Sequence, residues 1–110
     1  MAVHNLCTDA ATAAAQTEIT ISNPSKRDTG IVQISYVATG GTITAAAALQ
    51  GRLNANHEWT DIVAWTTSDL TSSANVKVSK IAAVSLFPLM RLNITTLNGT
   101  APKITADLMN

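Results

Sequence analysis

Charge is what this sequence has least of. Its 110 residues include seven basic and seven acidic side chains, 13% of the chain, where a soluble domain usually carries about 25%. The two signs cancel, which argues against a strongly electrostatic partner such as duplex nucleic acid or an anionic membrane. The deficit is filled by Ala, Thr and Ser rather than by Gly, Pro or acidic repeats, so the composition is not that of a disordered chain. Cysteine occurs once, at Cys7. No intrachain disulfide can form, and Cys7 reads as a small apolar strand residue. Histidine occurs only as His4 and His57. With no Gly-x-Ser-x-Gly and no glycine loop to cradle phosphate, the parts of a hydrolytic or nucleotide site are missing, and no catalytic role or cofactor is expected. Long apolar runs are missing as well. The least polar stretch, 37–49, holds Gly40, Gly41 and three threonines and is too short and too polar to span a bilayer. Met1 to Leu6 lacks the basic start and continuous apolar run of a secretory signal.

What is present is alternation with a period of two, over a length that fits one domain, 1–110. The clearest case runs from Thr42 to Leu53. Ile43, Ala45, Ala47, Leu49, Gly51 and Leu53 share one face, and Thr44, Ala46, Ala48, Gln50 and Arg52 the other. Thr17 to Ser22 places Ile19 and Ile21 inward, and Asn23-Pro24-Ser25 breaks that strand ahead of a polar loop, Lys26 to Gly30. Ile31 to Ala38 places Val32, Ile34, Tyr36 and Ala38 together. Gly40-Gly41 makes a turn, as do Asn54 and Asn56. Glu58 to Thr66 is a strand, Thr67 to Asn75 a polar loop, and Val76 to Phe87 renews the apolar signal. Leu89 to Leu97 sets Met90, Leu92 and Ile94 against Arg91, Asn93 and Thr95. Asn98-Gly99 is a hairpin signal, and Lys103 to Met109 places Ile104, Ala106 and Leu108 inward. Asp9 to Gln16 is alanine-rich but short, and reads as a loop or one helical turn. Residues 1–16 are expected to act as an N-terminal arm, with Met1 to Thr8 able to add a strand to a neighbour. The count of seven to nine short strands predicts an all-β domain, an antiparallel β-sandwich or jelly roll.

Candidate sites are few. His57-Glu58-x-x-Asp61 lacks a second histidine, and on a strand His57 and Asp61 lie about 13 Å apart, so it reads as a solvated turn and not a metal site. Asn93-Ile94-Thr95 and Asn98-Gly99-Thr100 match the glycosylation acceptor at the rate chance supplies in a chain this rich in Asn, Ser and Thr. Only Arg52 and Arg91 could interleave with aromatics, too little for single-stranded nucleic acid. Trp59 and Trp65 share parity on one strand, which makes them core, subunit interface or, facing out, a platform for sugar rings. The most informative feature is Ala46 and Ala48 opposite the inward Ala45, Ala47 and Leu49. A half-exposed strand carries polar residues outside. Small apolar residues on both faces imply that the outer face is covered too.

Leu49-Gln50-Gly51-Arg52-Leu53, a short turn, and Trp59-Thr60-Asp61-Ile62 resemble a strand-turn-strand unit of small β-sandwich proteins of tailed-phage particles. Such units carry an Asp/Asn-Gly turn where this chain has Asn54 to His57. Met90-Arg91-Leu92-Asn93-Ile94, Asn98-Gly99-Thr100 and Lys103-Ile104-Thr105 are similar to the closing hairpin of those domains. The resemblance covers about the last 60 residues. It implies a virion structural role, as a capsid decoration (cement) protein or a tail-associated domain, with the major capsid protein or other virion proteins as partners. On that reading the chain is a homo-oligomer on the capsid exterior, a trimer by the threefold symmetry of such lattices, with Ala46, Ala48, Trp59 and Trp65 at its interface. The alternative is a carbohydrate-binding module of a tail fibre or cell-surface protein, with Trp59 and Trp65 as its platform.

Overall fold

Alternating sequence decides which side of each strand turns inward, and the strands then pair so that every inward side meets another. The computed structural model describes residues 2–21 and 29–110. Among them are β1 (Val3–Ala10), β2 (Ile19–Thr20), β3 (Thr29–Val37), β4 (Thr44–Arg52), β5 (Thr60–Thr71), β6 (Val78–Ser85), β7 (Leu89–Leu97) and β8 (Lys103–Met109). They form two four-stranded sheets ordered β1-β8-β3-β6 and β2-β7-β4-β5, with every pair antiparallel. Only β4 and β5 are neighbours in both sequence and space. Every other connection passes from one sheet to the other, which is the interleaving of a jelly-roll β-sandwich.

The inward sides are those the alternation selects. Val32, Ile34 and Tyr36 of β3, Leu92 of β7, and Ile104, Ala106 and Leu108 of β8 are fully buried. Each large side chain so placed contributes about 1.5–3 kcal/mol. Cys7 is buried among them, donates to the Ile104 carbonyl at 3.6 Å, and its thiol pKa is raised by burial. Tyr36 needs a partner for its hydroxyl. It donates to the carbonyls of Asn98 at 2.5 Å and Thr44 at 3.3 Å. Burial raises its pKa. Asn98 N also donates to the Thr44 carbonyl, and Thr100 N to that of Gly40.

These bonds show that Asn98-Gly99 is not the expected hairpin. It is the corner where β7 in one sheet hands over to β8 in the other. Gly99 has φ +105°, and a Cβ there would lie 2.8 Å from the Ala38 Cβ. Turn chemistry alone does not distinguish a hairpin from such a corner.

Four other expectations change. Of the loop or helical turn expected at Asp9 to Gln16, the loop holds beyond Ala10, but Asp9 and Ala10 belong to β1, and the chain then crosses to the second sheet, where Ala15 bridges Asn93. Gln16 N donates to the Leu92 carbonyl at 2.8 Å, and Ile94 N to that of Ala14 at 3.1 Å. The expected arm therefore lies on its own domain, with β1 paired to β8. Leu53 does not face inward. β4 ends at Arg52 and Leu53 opens a turn, 61% exposed, in which the Asn54 carboxamide oxygen accepts from Asn56 N at 2.9 Å. The loop expected from Thr67 is a local arch, and β5 continues to Thr71. The break at Asn23-Pro24-Ser25 lies outside the described residues, as does most of the loop after it, and Thr29 and Gly30 already belong to β3.

The fourth change moves a candidate site. Leu49 pairs with Val63 but Gln50 pairs with Asp61, so Ile62 is an extra residue in β5. A bulge of one residue inverts the parity of the strand beyond it. Trp59 and Trp65 therefore do not share a face. Trp65 enters the core, 6% exposed, and Trp59 lies outside.

Candidate functional site

The outer face of β2-β7-β4-β5 carries the chain's main polar network. Gln50, on the central strand β4, has Arg91 of β7 on one side and Asp61 of β5 on the other. Arg91 Nε donates to Gln50 Oε1 at 2.9 Å, and Gln50 Nε2 donates to Asp61 Oδ1 at 2.9 Å. A buried carboxamide is tolerable because both ends are paired. Arg52 lies one row away and bonds Glu18 at 3.1 Å. Trp59 joins the cluster: its ring centroid is 4.2 Å from the Arg52 guanidinium carbon and 4.5 Å from that of Arg91. Each contact attracts through the negative face of the ring.

The four residues expected at an interface thus divide. All stand on β4, on β5 or in the turn between them. Ala48 sits in the ladder between Ala64 and Asn93 and is only 6% exposed. Trp65 is core. Ala46 is half-buried beside Thr95, whose hydroxyl donates to the Ala46 carbonyl. Trp59 is half-buried against two guanidiniums. The structure does not bring the two tryptophans together.

The opposite outer face is different. Register places Val3, Met109, Ile31 and Ala83 in one row across all four strands of β1-β8-β3-β6. Asn5, Asp107, Gln33 and Ile81 form the next row. Val3 and Ile81 are each 67% exposed and Ile31 is 42% exposed. Val3, Ile31, Gln33, Asp107 and Met109 line an open recess of about 290 Å³. Its one charge, Asp107, accepts from Asn5 Nδ2 at 3.0 Å. The sequence held the signal for this face. If Val32 and Leu108 point inward, Ile31 and Met109 point outward; the missing piece was which strands lie side by side.

His57 stands exposed in the β4–β5 turn. Among the described residues no three His, Cys, Asp or Glu side chains are grouped closely enough to hold a metal ion, and no helix is long and apolar enough to cross a membrane.

Fold and surface together define a small jelly-roll β-sandwich with a largely neutral exterior. No protein-family model matches the chain, and no curated protein matches it.

Proposed function

We propose that this chain is a structural protein of a phage particle, a capsid decoration protein that bridges neighbouring capsomers as a homo-oligomer. The observation that carries the reading is the row Val3, Met109, Ile31 and Ala83, with Ile81 beside it, on one outer face. Contiguous exposed apolar surface on a small domain marks a site of association. The low charge of the whole chain supports the same reading, since depletion of charge distinguishes the core of an interface. Ala46 and Trp59 lie half-buried on the opposite outer face, and Ala48 and Trp65 offer almost no area to a partner. A sugar platform built on Trp59 and Trp65 has one of its two rings in the core, and nothing else favours that reading.

Gold-labelled antibody raised against the chain, applied to intact particles from its source, tests the role. Dense label over heads is expected. Unlabelled particles, or label on tails alone, would refute a decoration protein.

A further inference from the structure

Among the described residues the sandwich has four edge strands: β1 and β6 on one sheet, β2 and β5 on the other. Edge strands offer unpaired backbone groups, and folded proteins blunt them. The ladder of β1 is interrupted twice, between Asn5 and Cys7 and between Cys7 and Ala10. β2 is two residues long. β5 carries the Ile62 bulge and a second irregularity, where Ala45 pairs with Leu70 but Ala47 with Trp65. β6 alone is regular. It pairs with β3 without a break from Ser85 to Val78 and contains no proline. Among the described residues its backbone makes no hydrogen bond beyond that ladder. Its outward residues Ser79, Ile81, Ala83 and Ser85 are all exposed.

We propose that β6 is a homodimerisation strand. It pairs antiparallel with β6 of a second copy about a two-fold axis at Ile81, joining two β1-β8-β3-β6 sheets into one.

The strand's own sequence selects this occupant and this register. Residues directly opposite in an antiparallel pair share a face, so the axis must pass through a residue. An axis at Lys80 would set two ammonium groups against each other. An axis at Ile81 sets Ile81 against Ile81, Val78 against Val84, Ser79 against Ala83 and Lys80 against Ala82. Every apolar residue of β6 that is larger than alanine then meets its like. Lys80 is the strand's one charge, and a charge on the inner side of an edge strand ordinarily guards against pairing. Here the register places it opposite a methyl group, that of Ala82 in the second copy.

An axis perpendicular to the sheet keeps both apolar rows on one side of the joined sheet, doubling the face proposed to meet the capsid. An isologous pair closes at two copies, in place of the trimer expected from lattice symmetry. The pairing does not depend on a virion role; only what its shared face docks on does.

Sedimentation velocity at micromolar concentration tests it, with cross-linking in a Cys7→Ala background. The wild type is expected near twice the 11.5 kDa chain mass. Ile81→Lys should weaken the dimer by about tenfold or more with the circular dichroism spectrum unchanged, because Ile81 is exposed. Ile81→Cys should link to itself on mild oxidation much faster than Leu53→Cys, at a comparably exposed turn. A wild-type monomer or trimer, a dimer indifferent to Ile81→Lys, or equal linkage at the two cysteines would each overturn it. None of these measurements involves a particle, so failure of the dimer and failure of the decoration role are separate results.

Discussion

On the outer face of β2-β7-β4-β5 the large side chains have partners within the chain; on that of β1-β8-β3-β6 they do not. Trp59 lies against Arg52 and Arg91, Arg52 bonds Glu18, and Gln50 ties Arg91 to Asp61. Nothing comparable covers Val3, Ile31 or Ile81. The first face has largely closed on itself, with Arg52 Nε the buried polar atom there, among the described residues, that lacks a partner. The second leaves apolar area in water, and burying that area is what drives association. Small side chains and tryptophans in sequence point to the first face; exposure in the structure points to the second.

The sharpest break of that comparison is between the two tryptophans. Trp65→Ala removes a buried ring from the core and is expected to cost about 3–5 kcal/mol. Trp59→Ala loses two contacts to cations at a partly open site, about 1–2 kcal/mol in all. Urea denaturation of both variants measures the difference. Equal losses would mean that the Trp59 cluster is as integral as the core, and that the β2-β7-β4-β5 face is no surface at all.

Next in size is the relay through Gln50. Gln50→Leu keeps the volume but leaves Arg91 Nε and Asp61 without their shared partner. A loss of about 1–2 kcal/mol is expected from two hydrogen bonds to charged groups on a half-covered face. Chemical denaturation at low and high salt gives the check. A neutral substitution would show that water serves these groups equally well, and the face would no longer count as closed.

Smaller still is the effect of removing apolar surface from the open face. Ile31→Thr is expected to stay within about 0.5 kcal/mol of wild type in stability, because the Ile31 side chain is already 42% exposed. Binding of a hydrophobic dye should fall all the same. A large destabilisation with unchanged dye binding would place Ile31 among structural residues and remove the contrast between the faces.

The inward sides of this sandwich were legible because they need only a period of two. Val32, Ile34, Tyr36 and Ala38, or Ile104, Ala106 and Leu108, follow from parity within a single strand, and all are buried. The surface depends on information that parity does not carry. The Ile62 bulge adds a residue without any local composition that announces it, and with it the two tryptophans part. The apolar row joins β1, β8, β3 and β6, strands from widely separated parts of the chain. Each contributes one outward residue that signals nothing alone. Only the pairing of strands makes a patch of them, and pairing is set by the whole topology rather than by neighbouring residues.

The smallest expected effect concerns how the edges of the two sheets are guarded. At the arch in β5, Asp69 Oδ2 accepts from Thr66 N at 2.8 Å and from the Thr66 hydroxyl at 3.1 Å. The backbone bond, then the hydroxyl bond, hold the Asp69 carboxyl below its ordinary range. An aspartate titrates near 3.9 in an unfolded chain. Because the folded value is depressed, the support given to the arch is complete above that pH and is lost as the pH falls through the folded value. Both bonds to the carboxylate lie within its own arch, so the loss is local and the overall unfolding transition should not move with it. The Thr66 amide resonance is expected to shift as Asp69 protonates and to stop titrating in Asp69→Asn. A Thr66 resonance that titrates equally in Asp69→Asn would show that some other group supports the arch.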